Sequence, residues 1–173
     1  MRSRIILITG MAAIFMLFSC AARTVKEGPE LVQRFEDLAD ECRRMYPHVS
    51  WMTLQEFSAR QDRAEWVILD SRSPMEREVS FIPGSVFADD FETVVSRHEG
   101  RNVLVYCTVG CRSGEYAERL QQRGLKAFVL WGGVLAWALD NRPFMSPEGE
   151  PTRKVHVFGS RWNALPESYG AVW

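Results

Sequence analysis

Along the chain, short apolar runs alternate with segments whose apolar positions recur every three or four residues. From Glu30 to Tyr46 the positions Leu31, Phe35, Leu38, Ala39 and Cys42 follow that spacing and predict an amphipathic helix ended by Pro47. Trp51-Met52 reads as a short strand. Thr53, with Glu56 three residues on, then forms a capping-box pattern for a helix to about Gln61. Trp66-Val67-Ile68-Leu69 is a buried run ending at Asp70, and Ser73-Pro74 starts a short helix inside the loop 71–79. A turn at Pro83-Gly84, a strand around Ser85 to Phe87 and a helix from Phe91 to Arg97 precede a second apolar run, Val103 to Tyr106. Ser113, an N-cap residue type, opens a helix from Gly114 to Arg123, with Tyr116, Ala117 and Leu120 at helical spacing. Gly124 stops it, Ala127 to Trp131 forms another strand, and Gly132-Gly133 turns into a helix from Val134 to about Asn141. Strands alternating with helices predict βαβ units and a parallel sheet covered on both faces.

The candidate chemistry lies where the strand Val103–Tyr106 runs into Cys107. The following residues, Thr108, Val109, Gly110, Cys111, Arg112 and Ser113, form a loop that closes onto a helix N-terminus. Backbone N–H groups in such a loop converge on one point, and the helix adds partial positive charge there. A thiolate is stabilised in that setting, and Arg112 adds a planar fork suited to anionic oxygens. A cysteine held this way is an activated nucleophile. The alternative is a small buried cysteine at a strand end.

Composition narrows the functional classes. The chain has 173 residues, is 46% hydrophobic and 25% charged, and carries a net charge of −1. No basic excess points to nucleic acid, and function is expected from a site rather than from bulk charge. The N-terminus reads differently from the rest: Arg2 and Arg4 precede the apolar run Ile5–Phe18, followed by Ser19-Cys20. That order describes a secretory signal, and the run is shorter than the roughly 18 residues of a spanning helix. An uncleaved signal anchor is the alternative. Removing residues 1–19 takes away the two arginines and leaves 19 basic against 22 acidic residues. Ser19-Cys20 resembles the lipobox of bacterial lipoproteins. That resemblance implies lipid on Cys20, a membrane association through it, and a position on the periplasmic face of the envelope. By the same resemblance, Ala21 rather than Asp after the cysteine implies the outer membrane over the inner.

Lipid on Cys20 leaves Cys42, Cys107 and Cys111 in an oxidising compartment, an odd number, so at least one thiol is free or pairs between chains. Cys42 lies on an apolar helical stripe, which favours core packing over a redox role. His48, His98 and His156 are scattered without metal-ligand spacing, and no metal or organic cofactor is expected. Phe158, Trp162, Tyr169 and Trp173 cluster near the C-terminus, so the segment after Pro147 is expected to pack back over the domain.

Four stretches in order, V-I-L-D-S-R-S-P-M-E, I-P-G-S, V-L-V-Y-C-T-V-G-C-R-S and V-L-W-G-G-V-L-A-W, resemble a rhodanese-like sulfurtransferase domain over roughly residues 50–145. The resemblance implies an α/β three-layer fold with a central five-stranded parallel sheet. It also implies a Cys107 persulfide wrapped by the loop Thr108–Ser113, and an Asp70/Arg72 pair in a mostly architectural role near the site. The chain then divides into a signal peptide (1–19), a tether and N-terminal helix (20–49), a rhodanese domain (50–145) and an aromatic extension (146–173). The implied reaction takes sulfane sulfur from a small sulfur-containing anion such as thiosulfate to cyanide, a thiol or a protein cysteine. Four residues separate Cys107 from Arg112, one fewer than in the phosphatase and arsenate-reductase relatives, which favours sulfur over a tetrahedral oxyanion. The chain departs from the family at Ser80 and Phe81, where Gly-His is usual before Ile-Pro-Gly, and at Arg77, where an aromatic residue is common.

Cys111, inside the loop, suggests a thiol–disulfide or arsenical-handling alternative using a Cys107/Cys111 pair, unless the loop is too curved or Cys111 points outward. A non-catalytic binding module at the envelope is a third reading.

Overall fold

The computed structural model describes residues 28–60, 62–98 and 100–173. The proposed signal peptide, tether and lipidated Cys20 lie outside these residues. Among the described residues no helix is long and apolar enough to cross a membrane.

Five parallel strands form the central sheet: β1 (Ser50–Met52), β2 (Trp66–Asp70), β3 (Val86–Phe87), β4 (Asn102–Tyr106) and β5 (Lys126–Leu130), in the order β1-β5-β4-β2-β3. In β4, Val103 and Val105 point to one face and Leu104 and Tyr106 to the other, as the two-residue period of a strand requires. The first pair packs with Phe91, Ala117 and Leu120 from helices α4 (Ala88–Val94) and α5 (Cys111–Gln122). The second packs with residues of α1 (Pro29–Met45), α2 (Leu54–Ser58) and α6 (Gly133–Leu139). Both faces of the sheet are therefore covered, and β4 is buried from Val103 to Tyr106, which explains its uninterrupted apolar sequence. A sixth helix, α3 (Pro74–Val79), follows β2 and is opened by a capping box between Ser73 and Glu76.

Two boundaries differ from the sequence pattern. The helix expected at Phe91 begins earlier, at Ala88, and tightens into a 3₁₀ turn at Val95–His98. The helix expected to open at Ser113 begins at Cys111, because Gly110 at φ 146° breaks the chain just before it. The Ser113 hydroxyl, now in the first turn, donates back to the Gly110 carbonyl at 3.0 Å instead of capping an amide.

After α6 the chain forms a small antiparallel pair, β6 (Phe144–Met145) and β7 (Pro151–Thr152). A parallel pair, β8 (Lys154–His156) and β9 (Gly170–Val172), follows. This segment is tied to the α/β body at both ends. Phe81 exchanges backbone hydrogen bonds with Met145, and the Ser80 hydroxyl donates to the Lys154 carbonyl at 2.6 Å. On the other side Arg34 of α1 donates to the carbonyls of Arg161 and Asn163. Ser80 and Phe81, two of the departures from the family pattern, are thus the residues that hold this segment against α3.

Candidate active site

Cys107 follows the central strand β4 at the carboxyl end of the sheet, the edge where open α/β sheets place their ligands. It is 2% exposed. Its Sγ accepts a hydrogen bond from the Gly110 N–H at 3.2 Å and lies 3.5 Å from the Ser113 hydroxyl, whose one proton is shared between the sulfur and the Gly110 carbonyl. Both donors belong to the turn that starts α5, so the sulfur sits at the positive end of that helix. Both donors point at the sulfur, where a negative charge on a bound sulfur species would be met by partial positive charge.

The loop keeps this inward face because its carbonyls are bound on the other side. The N–H of Val134 donates to the Cys107 carbonyl at 3.0 Å, and that of Leu135 to the Thr108 carbonyl at 3.4 Å. The first turn of α6 therefore holds the carbonyl oxygens away from the sulfur. Such close approach requires a glycine: a Cβ on Gly133 would collide with the Cys107 carbonyl, and its φ of 49° is disfavoured for other residues. Gly110 is constrained in the same way, since a Cβ there would fall 2.9 Å from the Trp51 ring.

Arg112 is less available than the sequence suggests. Its Nη1 and Nη2 donate to the two carboxylate oxygens of Glu76 at 2.6 and 2.7 Å, and Nη2 also reaches the Thr108 hydroxyl at 3.1 Å. The full positive charge expected beside the thiolate is therefore matched by a carboxylate. Burial alone would push the Glu76 pKa up, but the Arg112 bonds and charge, with the Ser73 N–H, bring it down to about 2. Glu76 is thus ionised at every physiological pH. Glu76 was not singled out in the sequence, because nothing near it in the chain shows that it meets Arg112, 36 residues away.

Asp70 and Arg72 lie beneath the loop with fully buried side chains. Arg72 donates to both Asp70 oxygens and, at 2.6 Å, to the Ser80 carbonyl. The Tyr106 hydroxyl donates to Asp70 at 2.6 Å and accepts from the Ile82 N–H. Burial and the neighbouring carboxylate raise the Tyr106 pKa, so it stays a neutral donor. The network joins β2, β4 and the turn after α3 by charge-assisted bonds. Neither Asp70 nor Arg72 lines the cavity at the sulfur.

Cys111 is not a partner for Cys107. It forms a disulfide with Cys42 of α1, their Cα atoms being 4.5 Å apart, and Cys107 is the free cysteine among the described residues. This corrects the Cys107/Cys111 pair, and it also corrects the assignment of Cys42 to packing alone. The cause is tertiary: α1 lies across the start of α5, so Cys111 meets Cys42 while the Cys107 sulfur faces its own loop.

A cavity of about 130 Å³ opens above the thiol, walled by Thr108, Val109, Arg112, Phe158 and Trp162. The last two come from the C-terminal segment and were not anticipated as site residues. Their only sequence signal is the density of large rings near the chain end. Among the described residues, no group of three or more His, Cys, Asp or Glu side chains is arranged to hold a metal ion.

A cysteine cradled by its own loop after the central strand of a five-stranded parallel sheet defines a class of α/β domain, and residues 53–140 match the family described as rhodanese-like domain. The chain belongs to that family. It is 30% identical over 92 residues to a sulfurtransferase of Allochromatium vinosum, spanning 51% of this chain and 86% of that one. It is 28% identical over 125 residues to a tRNA uridine(34) hydroxylase of Cytophaga hutchinsonii, covering 67% of this chain but 39% of the hydroxylase. The crystal structure of a thiosulfate sulfurtransferase from Pseudomonas aeruginosa superposes with a TM-score of 0.52 at 25% identity, over 68% of this chain and 23% of the other.

Proposed function

We propose that this protein is a sulfurtransferase that carries sulfane sulfur on Cys107, from a donor such as thiosulfate to a thiol or cyanide. The observation that carries the reading is the Cys107 sulfur itself, held by the Gly110 amide and the Ser113 hydroxyl at the start of α5 with a cavity above it.

In the first half-reaction the Cys107 thiolate attacks the outer sulfur of the donor. The donor's S–S bond breaks, its electron pair leaves with sulfite when thiosulfate is the donor, and a Cys107 S–S⁻ anion remains. No proton moves if the thiolate is already formed. The new terminal sulfur carries its charge into the cavity above Cys107, beside the N-terminus of α5. In the second half-reaction an acceptor thiolate or cyanide attacks that outer sulfur and restores the Cys107 thiolate. The two steps give double-displacement kinetics. Glu76 and Thr108 accept hydrogen bonds from Arg112 and hold it at the rim of the cavity.

Incubation of the reduced-thiol protein with thiosulfate, followed by peptide mass spectrometry, is expected to show one added sulfur on the peptide carrying Cys107, removed by cyanide. Absence of that sulfur with both thiosulfate and organic donors would overturn the reading.

We also propose that lipid on Cys20 holds the domain on the periplasmic face of the envelope, with the outer membrane favoured. Two features support this: the basic, apolar and Ser19-Cys20 order at the N-terminus, and the Cys42–Cys111 disulfide, a bond that persists in oxidising compartments. Fatty-acid labelling of the full chain, lost in Cys20→Ser, is the expected result; equal labelling of the variant would exclude it.

A further inference from the structure

We infer that Phe158 and Trp162 select the sulfur donor by its organic substituent, favouring donors that carry an aromatic or other bulky apolar group over small inorganic anions; this rests on the sulfurtransferase reading above.

Arg112 is the one charged side chain among the described residues lining the cavity, and its charge is matched by Glu76 at two contacts below 3 Å. A small dianion entering here meets a neutral ion pair, two aromatic rings and Val109, and loses hydration without full recompense. An apolar substituent loses nothing of that kind. The volume, about 130 Å³, is close to the roughly 150 Å³ of an engineered cavity that accepts a benzene ring.

The position of Phe158 carries the inference further. The residue is 58% exposed, yet its ring centroid lies 4.7 Å from the Arg112 guanidinium. Its backbone adopts φ 68°, a region costly for an aromatic residue. The strain is maintained by local bonds: the Phe158 N–H donates to His156 Nδ1, and the Val157 N–H donates to the Val172 carbonyl. Upstream, Ser80 fixes Lys154, and downstream Arg34 fixes Arg161 and Asn163 on either side of Trp162. A surface ring held in an unfavourable backbone conformation, between two anchored ends and beside a nucleophile, is placed to touch what the nucleophile touches. Phe158 and Trp162 thus form an aromatic rim, and a flat substituent stacks there while its sulfur reaches Cys107.

The test uses the full chain and two donors of equal charge, benzenethiosulfonate and methanethiosulfonate. With each, the thiolate takes the outer sulfur, the S–S bond breaks, and the corresponding sulfinate leaves with the electron pair. Sulfur loading of Cys107 is timed by quenching and mass spectrometry, and each rate is divided by that donor's rate with free cysteine. The expected normalised preference for the aromatic donor is on the order of 10- to 100-fold. It should fall toward unity in Phe158→Ala and Trp162→Ala and be partly kept in Phe158→Leu. Equal normalised rates, or a preference unchanged in Phe158→Ala, would overturn the inference. So would a preference confined to discharge by aromatic against alkyl thiols, since the rim would then serve the acceptor.

If neither donor loads Cys107, the sulfur-transfer reading itself fails. The rim is then judged by binding of benzenesulfinate against methanesulfinate, followed by tryptophan fluorescence. Binding of the aromatic ion that Phe158→Ala weakens at least tenfold supports the rim; no such binding overturns it.

Discussion

Glu76→Ala is expected to lower folding stability by about 3–4 kcal/mol, the cost of breaking a buried ion pair together with a helix cap. Glu76 has a side chain 1% exposed and accepts five hydrogen bonds: two from Ser73, two from Arg112 and one from Thr108. Removing it leaves the Arg112 charge without its partner and uncaps α3. Arg112 is one-third exposed, so water screens part of the loss, which keeps the figure near the lower end of the usual range for buried pairs. Urea unfolding of the variant beside the wild type measures the difference. A change below about 1 kcal/mol would mean the pair behaves as a surface salt bridge.

The same carboxylate sets an acid limit. Its pKa is held at about 2 in the folded protein against 4.5 ordinarily, so the unfolded chain binds the proton first. The contribution is therefore complete above about pH 4.5 and is lost as pH falls toward 2, in total about 3 kcal/mol. Glu76→Gln keeps much of the shape without the titrating charge. Its stability curve should be flatter than that of the wild type between those two pH values.

Local rules made most of the sheet legible. The runs at Trp66–Leu69 and Val103–Tyr106 are apolar because both faces of a parallel strand are covered, and the Thr53/Glu56 box caps its helix as spacing alone indicated. The place of Cys107 was legible for a related reason: a strand, a glycine-bearing loop and a helix in direct succession leave little choice about where it sits. What escaped depends on contacts distant in sequence. Glu76 meets Arg112 across 36 residues, and Cys42 meets Cys111 across 69. No periodicity encodes either contact, and a loop cysteine four residues from Cys107 looks like its partner until α1 is placed. The aromatic segment was legible as something that packs. Its path over the thiol follows from Ser80, Phe81 and Arg34, whose bonding partners are main-chain atoms and so leave no trace in residue identity.

The Cys42–Cys111 disulfide is expected to contribute about 2–4 kcal/mol, measured as the difference in unfolding free energy between oxidised and fully reduced wild type. Closing a loop of 69 residues removes much of the freedom of the unfolded chain, and the chain-entropy estimate for that length is about 4 kcal/mol. Comparing two redox states of one sequence avoids the cavity that replacing the fully buried Cys42 would leave. The bond also has a local consequence. Cys111 is the first residue of α5, next to the Gly110 amide that faces the Cys107 sulfur, so the crosslink ties the positive end of that helix to α1. Phe35 and Tyr46 of the same region pack against Gly132 and Gly114, on either side of the loop, so α1 clamps the cradle by contact as well as by covalent bond. Alkylation mapping of the oxidised chain should therefore label Cys107 and leave Cys42 and Cys111 unlabelled. Labelling of Cys111 without reductant would show that the crosslink is absent and return that thiol to the vicinity of Cys107.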